Sequence, residues 1–228
     1  MSNLRLFHLD NIIENTTSLL SKEHTHYVVN VMRLKRGSNL NFFNKSGEWL
    51  SEIVFLDRDR VEVKILDKIK EPTITSNIEL AICLVKKTPM ETILQKATEL
   101  GVSKIVPIIS DRTEIKELNF ERANKIVIEA TEQSNQMSPP EISKVIKLKN
   151  YIEALESKIL FFADVNSSNK LEPKNFKLGI TNCILIGPEG DFSPSEREHI
   201  LKKSSVIPFS LSKNILRTDT AVISAISL

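Results

Sequence analysis

The fold is decided by the stretch Cys183–Glu196, which reads CILIGPEGDFSPSE. An apolar run of strand character ends in Gly-Pro-Glu-Gly at positions 187–190, and a helix start follows it. In that start Ser193 is the predicted N-cap, Pro194 is the first helical residue, and Glu196 stands three residues after the cap. A strand, a glycine loop and a helix in this order build ligand sites at the carboxyl ends of open α/β sheets. Read alone, the stretch is also compatible with a plain tight turn.

The composition is typical of a globular protein with one large or two small domains. The chain has 228 residues, of which 41% are hydrophobic and 26% are charged. It contains no apolar run of the ~18 residues that span a bilayer and no signal-peptide pattern, so we expect a cytoplasmic protein. Cys83 and Cys183 lie in apolar runs and are predicted to be buried, reduced thiols. The net charge of +2 indicates that any RNA would be bound through local patches.

The first 70 residues read mostly as β-structure. Short strands are predicted at 4–9, 39–43, 49–55 and 61–66, with one helical stretch at 21–32, a pattern that suggests a small β-barrel. A polar linker at 71–77 is the best domain boundary, which gives a predicted first domain of residues 1–72 and a second of residues 73–228.

Strands and helices alternate after the linker. Strands are predicted at 78–85, 104–109, 159–163, 183–186 and 206–210, and helices at 119–136 and 218–228. A further helix is predicted to begin at a capping box, Thr88–Glu91. The alternation predicts an α/β domain with a largely parallel sheet.

The glycine loop at 187–190 does not suit a nucleotide phosphate. It lacks the Gly-x-Gly-x-x-Gly fingerprint, and no Gly-Lys-Ser/Thr loop is present. A second loop, Leu211–Ala221, follows the last predicted strand. Its apolar Ile215 and Leu216 are either core plugs or walls of a pocket for a flat ligand. Arg217 stands beside a helix start, an environment that suits a group developing negative charge.

The two loops together resemble a known family. Gly-Pro-Glu-Gly followed by Ile-Leu-Arg-Thr-Asp-Thr-Ala at 215–221 is similar to the RsmE family of bacterial 16S ribosomal RNA uridine N3-methyltransferases, which belong to the SPOUT class. The likeness covers the whole chain, through His26–Arg33, Lys96–Val102 and Glu132–Ser134. It implies a SPOUT-type trefoil-knot α/β domain with a parallel sheet and an N-terminal PUA-like β-barrel. It also implies an S-adenosylmethionine cofactor, a homodimer, and 16S ribosomal RNA of the small ribosomal subunit as the substrate.

The resemblance implies a set of site residues as well. Arg217 would stabilise charge on the uracil carbonyls, the alternative being a salt bridge to Asp219 or Glu189. Glu189 would accept the N3 proton or fix its loop, and Asp164 would supply a further contact or form an exposed cap. Backbone groups of both loops would hold the cofactor, with the adenine against Ile215 and Leu216. The full cofactor set is Ile186, Gly187, Pro188, Glu189, Gly190, Leu211, Ser212, Ile215, Leu216 and Thr220.

For RNA, the candidates are exposed cations and aromatic side chains. Arg5, Arg33, Arg36 and Arg112 are the candidate RNA contacts, the alternative being solvated surface arginines. Trp49 and the Phe42-Phe43 pair would stack on bases or fill the barrel core. The four histidines and two cysteines lack metal-ligand spacing, so no metal site is predicted.

Several positions depart from the family pattern. Ser212 and Asn214 stand where Gly and Arg are usual, Gln136 stands where Arg is usual, and Asp191 replaces a second Gly. Ser212 would remove conformational freedom beside the cofactor. The altered Ser212, Asn214 and Gln136 keep a second hypothesis open, a catalytically silent RNA-binding protein that retains the fold. A third hypothesis is a nucleotide-binding oxidoreductase, against which the missing glycine fingerprint argues.

Overall fold

The computed structural model of the chain describes residues 3–73 and 76–227, which fall into two units. The first unit comprises the described residues up to 73 together with Thr131–Ser138, and the second comprises the rest. Residues 74 and 75 of the predicted linker and residue 228 of the predicted last helix lie outside the described residues. Within the described ranges, no helix is long and apolar enough to cross a membrane.

The first unit is built on a five-stranded sheet. β1 runs parallel to β3, and the other neighbouring pairs are antiparallel. The order is β1-β3-β4-β5-β2, so the hydrogen bonds of the described residues do not close the predicted barrel. The strands are β1 (Leu4–Phe7), β2 (Thr17–Leu19), β3 (Asn39–Asn44), β4 (Gly47–Leu56) and β5 (Val61–Lys70).

The predicted helix at 21–32 is present, but it is divided. α1 covers Lys22–His26 and is followed by a π-helical turn, Tyr27–Val31. Phe42, Phe43 and Trp49 are buried in the sheet, which excludes them as base-stacking surfaces in this conformation and makes them core residues. Burying an aromatic side chain of this size contributes roughly 1.5–3 kcal/mol to folding.

The second unit contains a parallel sheet, as the alternating pattern predicts. Its order is β12-β10-β11-β6-β7-β8, with β9 also paired to β7, and every one of these pairs is parallel. The strands are β6 (Ile78–Cys83), β7 (Lys104–Ile109), β8 (Glu141–Ile142), β9 (Ile146–Lys147), β10 (Ile159–Ala163), β11 (Asn182–Ile186) and β12 (Val206–Phe209).

Helices cover both faces of this sheet because alternate residues of each strand point to opposite sides. Leu80 and Ile82 pack with α2, α3 and α6, whereas Ala81 and Cys83 pack with α4 and α5. The helices are α2 (Lys87–Glu99), α3 (Phe120–Gln133), α4 (Leu148–Glu153), α5 (Pro194–Leu201) and α6 (Thr218–Ile226).

The predicted capping box at Thr88–Glu91 is wrong. α2 already begins at Lys87, its N-cap is Lys86, and no side chain caps it. Pro89 is the third helical residue, two positions later than predicted, and is tolerated there because the N–H groups of the first turn of a helix have no intrahelical partner. The box at Ser193 and Glu196, in contrast, is confirmed.

A buried ionic network, here called the amino-edge network, lies where the parallel strands begin. The carboxylate of Glu79, near the start of β6, accepts hydrogen bonds from Tyr151 Oη at 2.8 Å and from Lys158 Nζ at 2.8 Å. The Cys183 thiol donates to the same carboxylate at 3.4 Å. Burial alone would raise the pKa of Glu79, but the hydrogen bonds from Lys158 and Tyr151 bring it below its usual value.

Both cysteines are buried, free thiols, as predicted. Burial raises the pKa of Cys83 and of Cys183 to about 12. Each sulfur is therefore uncharged at neutral pH and chemically inert compared with a thiolate.

Candidate functional site

An open cavity of about 290 Å³ lies where β10, β11 and β12 end. Its walls come from three segments, 163–165, 186–191 and 210–218, with Ala221 of α6. The carboxyl ends of parallel strands are where open α/β sheets bind ligands. The two loops singled out in the sequence therefore meet at one cavity. The lining includes these residues of the predicted cofactor set: Ile186, Gly187, Pro188, Glu189, Gly190, Leu211, Ser212, Ile215 and Leu216.

Thr220 is the member of that set that does not line the cavity. Thr218 and Asn214 line it instead. The hydroxyl of Thr218 lies 3.5 Å from the carbonyl of Gly187, so it links the second loop to the first. Sequence reasoning missed Thr218, although its position directly after Arg217 at a helix start was the available signal.

The glycine loop is a tight turn with limited space. The backbone N–H of Asp191 donates to the carbonyl of Pro188 at 3.0 Å. A Cβ atom on Gly187 would meet the ring of Phe192 at 2.9 Å, and Phe192 is itself buried against Phe162. Asp191 has a φ of 59°, in the left-handed region. The glycine that is usual at this position in the family pattern adopts that region at lower energetic cost.

A neighbouring loop braces this turn. Arg112 Nη1 donates to the carbonyl of Gly190 at 2.8 Å. The backbone N–H of Asp111 donates to Glu196 at 2.8 Å, and the hydroxyl of Ser193 donates to Asp111 at 2.7 Å. Arg112, a candidate RNA contact in the sequence, thus supports the cavity-forming loop.

The departure at Ser212 is compatible with the backbone. Ser212 is not among the described residues with positive φ, so the position does not require glycine. Its hydroxyl accepts a hydrogen bond from the backbone N–H of Asn214 at 3.0 Å, which closes a local turn. The Ser212 side chain therefore stabilises the local turn through the backbone of residue 214.

The two apolar residues of the second loop differ in exposure. Both residues line the cavity, but Leu216 also packs against the core, whereas Ile215 is 92% exposed. Arg217 is exposed and is the N-cap residue of α6, but it is not among the lining residues. Within the described residues its side chain forms no salt bridge to Asp219 or Glu189, so that alternative has no support.

The charged side chains that line the cavity are all acidic. They are Asp164, Glu189 and Asp191, and no Lys or Arg is among the described lining residues. Asp164 is only 4% exposed, so the interpretation as an exposed cap is wrong. Apolar walls with carboxylates and no cation favour a ligand that carries positive charge and disfavour a phosphate.

The remaining RNA candidates lie in the first unit and differ in exposure. Arg33 and Arg36 are exposed, and Arg33 has a φ of 52°. Arg5 is 8% exposed, and its guanidinium donates to Glu48 at 3.1 Å and to the carbonyl of Gln136 at 3.0 Å. Arg5 thus holds the first unit together and does not offer an RNA-facing surface.

No group of three or more His, Cys, Asp or Glu side chains among the described residues is arranged to hold a metal ion.

Comparison with known proteins defines the class. The family model described as RNA methyltransferase domain matches residues 70–228, and the one described as RNA methyltransferase PUA domain matches residues 20–66. The parallel sheet with its cavity and the separate β-sheet unit are therefore those of an RNA methyltransferase.

Individual relatives agree with one another. Proteins named ribosomal RNA small subunit methyltransferase E are 32% identical in Rickettsia conorii, over 98% of this chain and 93% of the relative, and 34% identical in Buchnera aphidicola, over 93% and 89%. The crystal structure of that enzyme from Neisseria gonorrhoeae, bound to S-adenosyl methionine, matches with a TM-score of 0.86 and 26% identity, covering 99% of this chain and 96% of that one. The chain belongs to the ribosomal RNA small subunit methyltransferase E family, which confirms the resemblance found in the sequence motifs.

Proposed function

We propose that this protein transfers a methyl group from S-adenosylmethionine to N3 of a uridine in 16S ribosomal RNA of the small ribosomal subunit. The observation that carries the proposal is the acid-lined cavity at the carboxyl ends of β10, β11 and β12, in a chain of this family. The related enzyme from Neisseria gonorrhoeae was solved with S-adenosyl methionine bound, which supports the same cofactor here.

The residues of the cavity fit this cofactor. Its adenosine part is apolar and flat, and the walls offer Ile186, Leu211 and Leu216. Its sulfonium and ammonium groups are positive, and Glu189 and Asp191 provide negative charge without a competing cation among the described lining residues. Backbone groups of both loops remain the proposed hydrogen-bonding partners.

When bound, the cofactor supplies a methyl group that its sulfonium has already activated. The protein must then place the uridine and handle one proton, and placement alone can supply roughly 7–11 kcal/mol. Loss of the N3 proton puts negative charge on the uracil carbonyls. Arg217 is exposed beside the positive end of α6, so we assign it to stabilise that charge.

Glu189 is the proposed acceptor of the N3 proton. It lines the cavity and forms no ion pair with a described residue, which leaves its carboxylate available. The alternative, that Glu189 fixes the loop, has less support because Arg112 already braces that loop through Gly190.

For RNA, we propose that residues 1–72 form the binding domain and residues 73–228 the catalytic domain. Arg33, Arg36 and Arg112 are exposed and remain the proposed contacts, Arg112 while it also donates to the carbonyl of Gly190, whereas Arg5 is buried within the first unit. Double-stranded RNA hides its base edges, so the target uridine must be unpaired or flipped out.

Three further features are proposed from the family resemblance. They are a trefoil knot in the second domain, a homodimer and a cytoplasmic location. The exposed Ile215 and Val165 at the cavity support the dimer, because a partner chain would cover apolar surface that now faces water.

The test is mass spectrometry of 16S ribosomal RNA from a strain that lacks the gene. We expect N3-methyluridine to disappear, to return with the wild-type gene, and to stay below about a tenth of its level with Arg217→Ala, since losing one charge-stabilising group typically costs 10²–10³ in rate. Unchanged N3-methyluridine in the deletion strain would favour the catalytically silent RNA-binding protein.

A further inference from the structure

Asp164 is the most enclosed acid of the cavity, and all of its acceptor capacity is used. Its Oδ2 accepts from Arg197 Nε at 3.1 Å and from Arg197 Nη2 at 2.7 Å. Its Oδ1 accepts from the backbone N–H of Asn166 at 3.0 Å and from the amide side chain of the same residue at 3.3 Å. A carboxylate has about four lone-pair sites, and four donors fill them. Asp164 therefore has little capacity left to accept a hydrogen bond from a ligand.

The backbone of Asp164 joins two of the three segments that line the cavity. Its N–H donates to the carbonyl of Phe209 at the end of β12, at 2.9 Å, and its carbonyl accepts from the N–H of Ser167 at 3.0 Å. Segment 163–165 is thus tied to the strand that leads into segment 210–218.

Arg197 links Asp164 to the third segment, 186–191. It lies in α5, the helix that follows the glycine loop and begins at the Ser193 capping box. Arg197 is not among the lining residues, so it would act on the cavity through Asp164, to which it donates hydrogen bonds, and through its attraction to the charge of the nearby Asp191. Asp164 is therefore linked to all three cavity-lining segments: its backbone binds the end of β12, which leads into segment 210–218, and its carboxylate binds α5, which follows segment 186–191.

The charges and exposure of the Asp164–Arg197 pair favour an effect on the local arrangement of the cavity over an effect on global stability. Burial alone would raise the pKa of Asp164, but the hydrogen bonds from Arg197 and Asn166 lower it, so the carboxylate is ionised at neutral pH. The Arg197 side chain is 38% exposed and remains in contact with water. A pair that is open on one side contributes less to global stability than an enclosed one, whereas two guanidinium donors that converge on one oxygen, Oδ2, still fix position.

We propose that Arg197 is a positioning residue for the cofactor pocket: by holding Asp164, it keeps segments 163–165, 186–191 and 210–218 in the arrangement that binds S-adenosylmethionine. The inference rests on the proposed function. A pre-arranged pocket binds more tightly because less ordering remains to be done on binding.

The test is calorimetric titration of S-adenosylmethionine into the full chain and its variants. We expect Arg197→Met and Asp164→Asn each to weaken binding about tenfold and the double variant to be no weaker than the poorer single variant, because the two residues act as one unit. Arg197→Lys keeps the charge but loses the pair of guanidinium donors on Oδ2, so it should retain more of the affinity than Arg197→Met does. Lys202→Met is the matched control, because Lys202, the C-cap residue of α5, forms an exposed pair with Glu198 of that helix; it should change affinity less than about twofold.

A second readout does not depend on the cofactor. In the free protein, Arg197→Met should speed amide hydrogen exchange at 163–167 and 209–212 while α2 exchanges as in the wild type. In turnover, the KM for the cofactor should rise while kcat at saturating cofactor stays within about twofold.

The outcomes separate the two proposals. Wild-type protein that does not bind S-adenosylmethionine would refute the proposed function and this inference with it. Wild-type binding with equal affinity in Arg197→Met would refute only this inference. So would a lower melting temperature in Arg197→Met with unchanged cofactor affinity of the folded protein, because a purely structural role predicts that result.

Discussion

The second unit carries a buried carboxylate with a cationic partner at each edge of its parallel sheet. At the amino edge, Glu79 pairs with Lys158, and at the carboxyl edge Asp164 pairs with Arg197. Glu79 also accepts hydrogen bonds from the Tyr151 hydroxyl and the Cys183 thiol, so each of its hydrogen-bond partners is a side chain within the core or at its edge. Asp164 instead holds a loop residue, Asn166, and lines the cavity.

The difference shows how similar chemistry serves two purposes on one sheet. At the amino edge the strands begin, and a buried acid there links β6, β11 and the residues before β10. At the carboxyl edge the strands give way to loops, and a buried acid there sets where those loops stand. We therefore expect changes at the amino edge to alter stability and changes at the carboxyl edge to alter ligand binding.

The largest effect is expected from Glu79→Ala. Removing this carboxylate leaves the buried Tyr151 hydroxyl without its acceptor and Lys158 without its partner, which should cost about 3 kcal/mol of unfolding free energy. Urea denaturation measures the loss. Glu141→Ala, which removes an exposed pair with Lys104, should cost less than about 0.5 kcal/mol. An equal loss in the two variants would contradict the assignment of Glu79 to the core.

The next effect is expected from Gly187→Ala at the carboxyl edge. The new methyl group meets the Phe192 ring, which cannot move freely because it packs on Phe162, so the loop must shift. We expect a loss of about 1–3 kcal/mol in stability and a loss of cofactor binding. Gly190→Ala is the control for the loss of stability alone, because its Cβ would make only ordinary contact with Arg112 at 3.7 Å. Full cofactor affinity in Gly187→Ala would be the adverse result.

A smaller effect is expected from Asp191→Asn. Asparagine tolerates the left-handed backbone of this position, so the substitution removes charge without changing the turn. Affinity for the positively charged S-adenosylmethionine should fall about fivefold, and affinity for its neutral thioether product should not change. Titration of the variant and the wild type with both ligands at low salt measures how much each affinity changes. Because the product keeps the ammonium group and loses only the sulfonium charge, equal weakening of the two would show that Asp191 does not act on the sulfonium.

The smallest effect is expected from mild acid. Glu79 and Asp164 both have pKa values below their usual ones, so the stability they contribute is complete above the unfolded-state values of 4.5 and 3.8. It is lost as the pH falls through the lower folded-state values. Thermal melting between pH 7 and pH 3 should therefore show a decline confined to the range below about 4.5. Glu79→Gln should flatten that decline. If the melting temperature of Glu79→Gln instead falls with pH in parallel with that of the wild type, the Glu79 carboxylate is not a source of the decline.

The features predicted correctly from the sequence depend on neighbours in the chain. The Ser193 capping box needs only Glu196, three residues away, and β7 and β10 were bounded by their own apolar runs. The position of the cavity followed from the general rule that parallel strands place their carboxyl ends together.

The features that the sequence did not reveal depend on distant partners. Arg5 looked like a surface cation, but it binds the carbonyl of Gln136, which is 131 residues away in the chain. Arg112 binds the carbonyl of Gly190, which is 78 residues away in the chain, and Arg197 binds the carboxylate of Asp164, which is 33 residues away. An arginine has the same local pattern whether it faces RNA, a carbonyl or a carboxylate, so only the fold decides.

The central claim is that the carboxyl-edge loops bind S-adenosylmethionine and that the amino edge contributes stability alone. Calorimetric titration of this cofactor into the wild type, Gly187→Ala and Glu79→Gln, each held well below its melting temperature, tests it most directly. The account predicts one site per chain in the wild type and in Glu79→Gln, with affinities within about twofold, and no measurable binding in Gly187→Ala. Absence of binding in the wild type, or equal binding in Gly187→Ala, would contradict it.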